Sequence, residues 1–183
     1  SWITPVKNQD QCGSCWAFAS TSVIESHVAK ASGLLFDLSV EQMAMCAPNP
    51  DSCGGTGGCY GSTSELAFDY VANSKGMVQE FQYPYAAYYG ENAACSSKST
   101  MNDKATIEGY VQLPSNNYTA LMNAIATVGP IAISVDASWS GYEEGIYSGL
   151  PENPDIDHAV VLVGYGHDES LNMDYWLVRN SWS

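Results

Sequence analysis

Two cysteines near the start of the chain have a spacing that suits several kinds of chemistry. Cys12 and Cys15 lie in the run Gln-Asp-Gln-Cys-Gly-Ser-Cys-Trp at positions 9–16. Cys-x-x-Cys fits a redox pair, half of a zinc site or a reactive thiol. A redox pair would follow a strand of a βαβ unit, and a zinc site would need a second pair at similar spacing; the sequence offers neither context. A helix beginning at Cys15 would instead stabilise a thiolate through its dipole, which favours a nucleophile.

A thiolate that cleaves an amide needs an acid to protonate the leaving amine, and the chain has three histidines for this role. His27 is expected on the first helix as a core-edge or surface residue, and His167 in a turn among acidic residues. His158 precedes an apolar, strand-like run, where it can project into a cleft. Asn180 ends the next such run, and its amide can hold one ring nitrogen of His158 while the other faces Cys15.

Together these motifs resemble the papain family of cysteine peptidases, and most of all its cathepsin L-like branch. The run Cys12–Trp16 matches the local signature Cys-Gly-[Ser/Ala]-Cys-[Trp/Tyr], and His158 and Asn180 follow in the family's order. The resemblance covers the whole chain. It implies a cysteine endopeptidase that works through a thioester on Cys15, with His158 as its base and Asn180 holding that base in position.

The resemblance also implies roles for residues around this triad. Gln9 matches the glutamine whose side-chain amide, with the Cys15 backbone N–H, stabilises the oxyanion. Trp182 matches the tryptophan that shields the histidine–asparagine pair. Ser62 replaces a glycine of the family, which affects one expected contact with substrate. The substrate-binding positions that the resemblance implies are Gly13, Gly61, Ser62, Asp157 and Trp182. It also implies an apolar S2 pocket that selects a hydrophobic P2 residue. The positions of this pocket are Thr63, Ser64, Ser134, Ile156 and Ala159.

All six cysteines lie in the first 95 residues, which suggests disulfides and an oxidising compartment. One of them is the expected nucleophile, so at least one of the remaining five is left over. Cys53 has no evident partner. The resemblance implies two bridges, Cys12 with Cys59 and Cys46 with Cys95.

The resemblance sets expectations about cellular context as well. Asn117-Tyr118-Thr119 fits the N-glycosylation pattern, which agrees with a secretory route to the lysosome, the vacuole or the outside of the cell. Expected partners are peptide and protein substrates, inhibitors of the cystatin type and the protein's own propeptide. We expect a monomer with no cofactor and no metal. The family pattern begins before residue 1 and continues after residue 183, so we expect a fragment of the mature domain.

Two rival functions are weighed against the endopeptidase. An exopeptidase of the same family usually carries an added loop that blocks one end of the cleft, and the sequence has no such His-rich insertion. A non-catalytic homologue that serves in binding or storage would typically have lost its nucleophile. Here Cys15, His158, Asn180 and Gln9 are all present, so the endopeptidase is preferred.

These residues must be positioned by a helical first half and a strand-rich second half. The fold class is therefore α+β, a papain-like pair of lobes with the cleft between them: a helical lobe over 1–101 and a lobe with an antiparallel sheet or barrel over 102–183. The loop between the lobes is expected at 90–103. Predicted helices run from near Ser14 to Gly33, from the capping box at Ser39 through Met45, from that at Ser62 through about Ala72, and over 117–128. Predicted strands are Ile131–Val135, Ala159–Tyr165 and Tyr175–Arg179.

Composition excludes other classes of function. The net charge is −14, from 20 acidic and six basic residues, and such a surface repels the phosphates of a nucleic acid. No apolar run approaches the ~18 residues that cross a bilayer, so no membrane association is expected. The acidity is interpreted as surface solubility, with activity at low pH as the alternative.

Overall fold

The chain folds into helices followed by a small sheet. The computed structural model describes residues 2–96, 105–139, 141–149 and 151–183. Within these ranges the helices are α1 (Cys15–Ser32), α2 (Val40–Cys46), α3 (Ser64–Asn73) and α4 (Tyr118–Thr127), and the strands are β1 (Ile131–Val135), β2 (His158–Asp168) and β3 (Met173–Arg179). This confirms the α+β class. The predicted lobe boundary at 101/102 falls outside the described residues, as does the second half of the predicted connecting loop, 97–103. None of the described helices is long and apolar enough to cross a bilayer.

Helix α1 is the central element and is buried on almost every side, with 12 of its 18 residues in the interior. Two of its buried serines fit there because their hydroxyls bond within the helix: Ser20 Oγ donates to the Trp16 carbonyl at 2.7 Å, and Ser26 Oγ to the Ser22 carbonyl at 2.9 Å. The hydroxyl of Ser22 accepts from the guanidinium of Arg179 in β3. The helix ends at Gly33, whose φ of 77° is the left-handed conformation that glycine adopts freely. The predicted extent of this helix is confirmed.

Side-chain caps start the next two helices, one of them a residue later than predicted. Ser39 Oγ accepts from the Gln42 N–H at 2.9 Å, as the capping box predicts. The cap of α3 is Thr63, which accepts from the Leu66 N–H, and the prediction of Ser62 was wrong. Residue 62 is held by the preceding glycine-rich loop, since a Cβ on Gly54 would lie 2.8 Å from its carbonyl oxygen. Thr63 caps the helix instead, and the buried Ser62 hydroxyl has no hydrogen-bond partner among the described residues.

The sheet is antiparallel in the order β1–β2–β3, so β2 is its central strand. Strand β2 begins at His158 and ends at Asp168, beyond both predicted limits. The prediction that His167 lies in a turn was therefore wrong. It pairs with Asp174 of β3, and its Nδ1 lies 2.8 Å from an Asp174 carboxylate oxygen. This cross-strand pair extends the hairpin into a polar segment that carries no strand pattern in the sequence.

The core joins α1 to the other helices on one side and to the sheet on the other. The larger cluster packs α1 against α2 and α3 through buried residues that include Trp16, Met43 and Val71. The smaller cluster packs Ala19 and Val23 of α1 against the sheet. Ala159, the second residue of β2, touches both clusters. The beginning of α1 and the beginning of β2 are thereby held together.

A buried carboxylate ties the N-terminal segment to α1. Glu25 is fully buried and accepts from the Thr4 hydroxyl, from Lys7 Nζ at 3.0 Å and from the Leu38 N–H at 2.8 Å. Lys7 also contacts the carboxylate of Asp37. Burial alone would lower the pKa of Lys7, but the two carboxylates outweigh this effect and the pKa is raised.

We expect the change Glu25→Ala to lower the free energy of unfolding by about 3 kcal/mol, because it removes the buried acceptor of the Thr4 hydroxyl and the Leu38 N–H and leaves the partly buried ammonium of Lys7 with only the exposed Asp37. The matched control is Asp174→Ala, which removes an exposed pair with His167 and should cost less than about 1 kcal/mol. Urea unfolding of the two variants measures the difference. Equal unfolding midpoints would show that the buried pair adds no more to stability than the exposed one.

Candidate active site

Cys15 is the first residue of α1 and has a free, half-buried thiol. The backbone N–H of Ala159 hydrogen-bonds to its sulfur, so the start of β2 lies directly over the thiol. Burial raises the pKa of the Cys15 thiol and the carboxylate of Asp157 adds to this, while the N–H groups of Ala159, Trp16 and Cys15 itself act in the opposite direction. The net effect of these groups is a pKa above the ordinary value of a thiol, so stabilising the thiolate requires a positive charge beside the sulfur.

His158 opens β2 and is buried, one residue before the contact between Ala159 and the sulfur. Its Nε2 lies 2.7 Å from Oδ1 of Asn180, which directly follows β3. Because an amide oxygen only accepts, Nε2 carries the proton in this pair. The other ring nitrogen, Nδ1, is left to take or give a proton. The structure thus brings together two residues that are 22 positions apart in the sequence.

Two tryptophans enclose this histidine–asparagine pair. Trp182 stacks on the ring of His158, with centroids 4.6 Å apart and planes at 24°. Trp139 meets the same ring edge-on at 5.9 Å and also contacts Trp182 at 5.8 Å. Sequence reasoning named Trp182 but missed Trp139. The available signal was a tryptophan in the polar segment after β1, where a large apolar ring needs a partner.

Gln9 is buried and fixed by bonds at both ends of its amide. Its Oε1 accepts from Ser181 Oγ at 2.6 Å, and its Nε2 donates to the Cys12 carbonyl at 2.9 Å. The Gln9 N–H also donates to the Ser181 carbonyl at 2.9 Å. An amide nitrogen has two hydrogens, so one remains for a ligand. Ser181 was missed in the sequence; its N–H donates to Asn180 Oδ1 at 2.8 Å, which couples the glutamine to the histidine's partner.

The disulfides join the same cysteines that the resemblance implies. Cys12 is bonded to Cys59, and Cys46 to Cys95, with Cα atoms 4.5 Å and 4.9 Å apart. The first bridge anchors the segment that leads into Cys15. Cys53 is a free and exposed thiol.

Two glycines beside the Cys12–Cys59 bridge are required by the conformation of the backbone around them. A Cβ on Gly13 would lie 2.5 Å from the Cys59 carbonyl oxygen, while its N–H donates to that oxygen at 2.9 Å. Gly61 has a φ of 88°, and a Cβ there would lie 2.3 Å from the Gly54 carbonyl oxygen. Both positions therefore require glycine for the loop itself, whatever contact they make with a substrate.

The positions implied for the S2 pocket come from both halves of the chain. Ser134 of β1 is the Cα partner of Ala159 in β2, so these two are neighbours in the sheet. Ile156 lies just before the strand and is 57% exposed. Thr63 caps α3 and Ser64 is its first residue, and Phe68 of that helix packs against the same buried cluster as Ala159. Ile156 thus presents an exposed apolar side chain two positions before His158.

Relatives that are similar in sequence come from a fly, a rat and a chicken. The chain is 39% identical over 186 residues to cathepsin L of Sarcophaga peregrina and to procathepsin L of Rattus norvegicus, covering 98% of this chain and 52% and 53% of those proteins. Against cathepsin K of Gallus gallus it is 37% identical, covering 99% of this chain and 52% of the relative. The chain thus spans about half the length of the curated relatives it matches.

Solved structures show the same fold. The digestive procathepsin L 3 of Tenebrio molitor larval midgut superposes with a TM-score of 0.85 at 34% identity, over 99% of this chain and 57% of that one. Bromelain of Ananas comosus, in complex with the E64 inhibitor, gives 0.86 at 35% identity, over 99% of this chain and 79% of that one. The family whose description is "Papain family cysteine protease" matches residues 1–183. The chain therefore belongs to the papain family of cysteine proteases and has the papain-like α+β fold.

Proposed function

We propose that the protein is a cysteine endopeptidase whose nucleophile is Cys15. One observation carries this proposal: the free thiol lies at the first turn of α1, directly under the residue that follows His158, and His158 is hydrogen-bonded to Asn180. A thiol, a histidine and a residue that orients it form the arrangement required for nucleophilic catalysis. Trp139 and Trp182 limit the access of water to the hydrogen bond between His158 and Asn180.

The chemistry divides into two halves. In the first, the Cys15 thiolate attacks the scissile carbonyl carbon while His158 carries both protons as an imidazolium. Gln9 Nε2 and the Cys15 N–H stabilise the oxyanion that forms. As the carbon–nitrogen bond breaks, His158 gives its proton to the leaving amine, and a thioester remains. In the second half, His158 removes a proton from water, which attacks the thioester and releases the acid.

The preference for a hydrophobic P2 residue belongs to this proposal. It is supported by the neighbouring positions of Ser134 and Ala159 and by the exposed side chain of Ile156. Protein and peptide substrates, cystatin-type inhibitors, a propeptide and a lysosomal, vacuolar or extracellular location are proposed on the same basis. The two disulfides support an oxidising compartment.

Cleavage of internally quenched peptides, with the products mapped by mass spectrometry, tests the function. An endopeptidase cuts in the interior and prefers peptides with Leu, Phe or Val at P2. Release of dipeptides from one end of the peptide would show that the protein is an exopeptidase instead. A peptidyl epoxide should bind covalently to Cys15, and failure of both labelling and cleavage would leave only a binding protein.

We expect Gln9→Ala to lower kcat by about 10²- to 10³-fold, because it removes one of two proposed oxyanion donors. The matched control is Gln11→Ala, which changes an exposed glutamine two positions away and should leave kcat unchanged. The rate of Cys15 alkylation by iodoacetamide is measured in parallel and should stay within a few-fold of the parent in both variants. A parallel loss of alkylation in Gln9→Ala would mean that the nucleophile is displaced and that the oxyanion role is wrong.

A further inference from the structure

Asn117 stands at the start of α4 in the segment Asn117-Tyr118-Thr119, the only Asn-x-Ser/Thr segment in the sequence without proline at its middle position. We propose that Asn117 carries an N-linked glycan. The sequence pattern alone is short and often unused. Three independent features of the folded chain favour its use.

The first feature is the way Asn117 caps α4. Its Oδ1 accepts from the Ala120 N–H at 2.9 Å, which satisfies one of the free donors at the start of the helix. The cap uses only the oxygen of the side-chain amide. A glycan is attached to the nitrogen, Nδ2, and leaves the oxygen available as an acceptor. The same side chain can therefore cap α4 through Oδ1 and carry a glycan on Nδ2 at the same time.

The second feature is exposure along the whole segment. All residues from 114 to 119 are exposed, so nothing has to be displaced to fit a bulky, hydrated sugar there. Thr119 is part of this surface and makes no contribution to the cap, whose acceptor is on Asn117. The helix start explains an asparagine at 117 but gives no reason for a threonine at 119. The glycosylation pattern accounts for both.

The third feature is the position of the site relative to the catalytic residues. Tyr118 packs against Trp176 with ring centroids 5.4 Å apart, and Trp176 is the cross-strand partner of Tyr165. Tyr165 is seven positions beyond His158 on β2, which is roughly 20 Å along a strand. A glycan at Asn117 would therefore leave the cleft open to substrate. The two disulfides also support folding in an oxidising compartment, and N-glycosylation takes place in such a compartment.

The test compares the parent chain with three variants, each fused behind a cleavable signal peptide and translated with microsomes. Thr119→Ser keeps the glycosylation pattern, Thr119→Ala removes it without touching the cap, and Asn117→Asp removes it but keeps an oxygen that can cap α4. We expect a single-glycan increase in mass, sensitive to peptide-N-glycosidase, in the parent and in Thr119→Ser. Thr119→Ala and Asn117→Asp should lose it completely. Because the sugar is added during translocation, the measurement does not depend on whether a variant folds stably.

Mass spectrometry of the chain secreted from a eukaryotic host gives a second readout. Enzymatic deglycosylation in ¹⁸O-water should convert residue 117 to labelled aspartate. An unmodified Asn117 in the translocated parent chain would overturn the proposal. A shift that persists in Thr119→Ala would overturn it too, since the sugar would then lie elsewhere. Neither result bears on cleavage of peptides, so failure here is distinct from failure of the proposed protease activity.

Discussion

Cys15→Ala is expected to lower kcat for peptide cleavage by about 10⁶-fold, the size of loss that follows removal of a catalytic nucleophile. The thioester cannot form without the sulfur, and the remaining groups only bind and polarise the substrate. Binding itself should persist, because Cys15 contributes one small side chain to the cleft. Turnover is measured with a quenched peptide, and binding of the same peptide by fluorescence anisotropy.

The control for this substitution is Cys53→Ala, which removes the other free thiol among the described residues. Cys53 is exposed and far along the chain from the helix start, so its loss should leave kcat unchanged. If Cys53→Ala abolished turnover and Cys15→Ala did not, the nucleophile would be misassigned. If turnover survived in both variants, the hydrolysis would not depend on either free thiol.

His158→Ala is expected to slow alkylation of Cys15 by iodoacetate at pH 5 by about 10³-fold, the difference between a thiolate and an ordinary thiol with a pKa of ~8.5. Burial and the charge of Asp157 both raise the pKa of Cys15. A charged His158 acts in the opposite direction, so the thiolate exists in acid only as part of an ion pair. The parent should therefore be labelled well into the acid range. The variant should react at an appreciable rate only when the pH approaches or exceeds ~8.5, the pKa of an ordinary thiol.

The labelled cysteine is located by mass spectrometry across pH 4 to 9, with the exposed Cys53 as the reference within each sample. His167→Ala is the matched histidine control, because His167 lies at the far end of β2 in an exposed pair with Asp174. It should leave the profile of Cys15 unchanged. A parent profile that rises only above pH 8 would mean that burial dominates and that no ion pair forms with His158.

The helices were the most predictable part of the fold because their signals are local. A serine three residues before a glutamine marked the start of α2, and Gly33 marked the end of α1. The end of β2 could not be predicted in the same way. His167 and Asp168 have no apolar alternation, and their place in a strand depends on pairing with Asp174 and Met173 across the hairpin. Such pairing is a property of two segments together, which a single segment does not reveal.

The site divides along the same line. Cys15 and its helix start can be interpreted from adjacent residues, whereas His158 and Asn180 were singled out because the chain resembles a known family. The bond between Ser181 and Gln9 spans 172 positions and has no local signal. Trp139 was missed because its role depends on a loop that returns it to His158. Long-range contacts of this kind follow from the finished packing, which the sequence pattern does not describe.

The two bridges differ in how easily a reducing agent reaches them. Cys12 and Cys59 are 1% and 7% exposed, whereas Cys95 of the other bridge is exposed. Thiol–disulfide exchange requires an attacking thiolate to approach a sulfur atom. A mild reductant that keeps Cys15 free of oxidation will therefore open Cys46–Cys95 first and spare Cys12–Cys59. There is therefore a range of reductant concentrations in which Cys46–Cys95 is reduced while Cys12–Cys59, which anchors the segment before Cys15, stays intact.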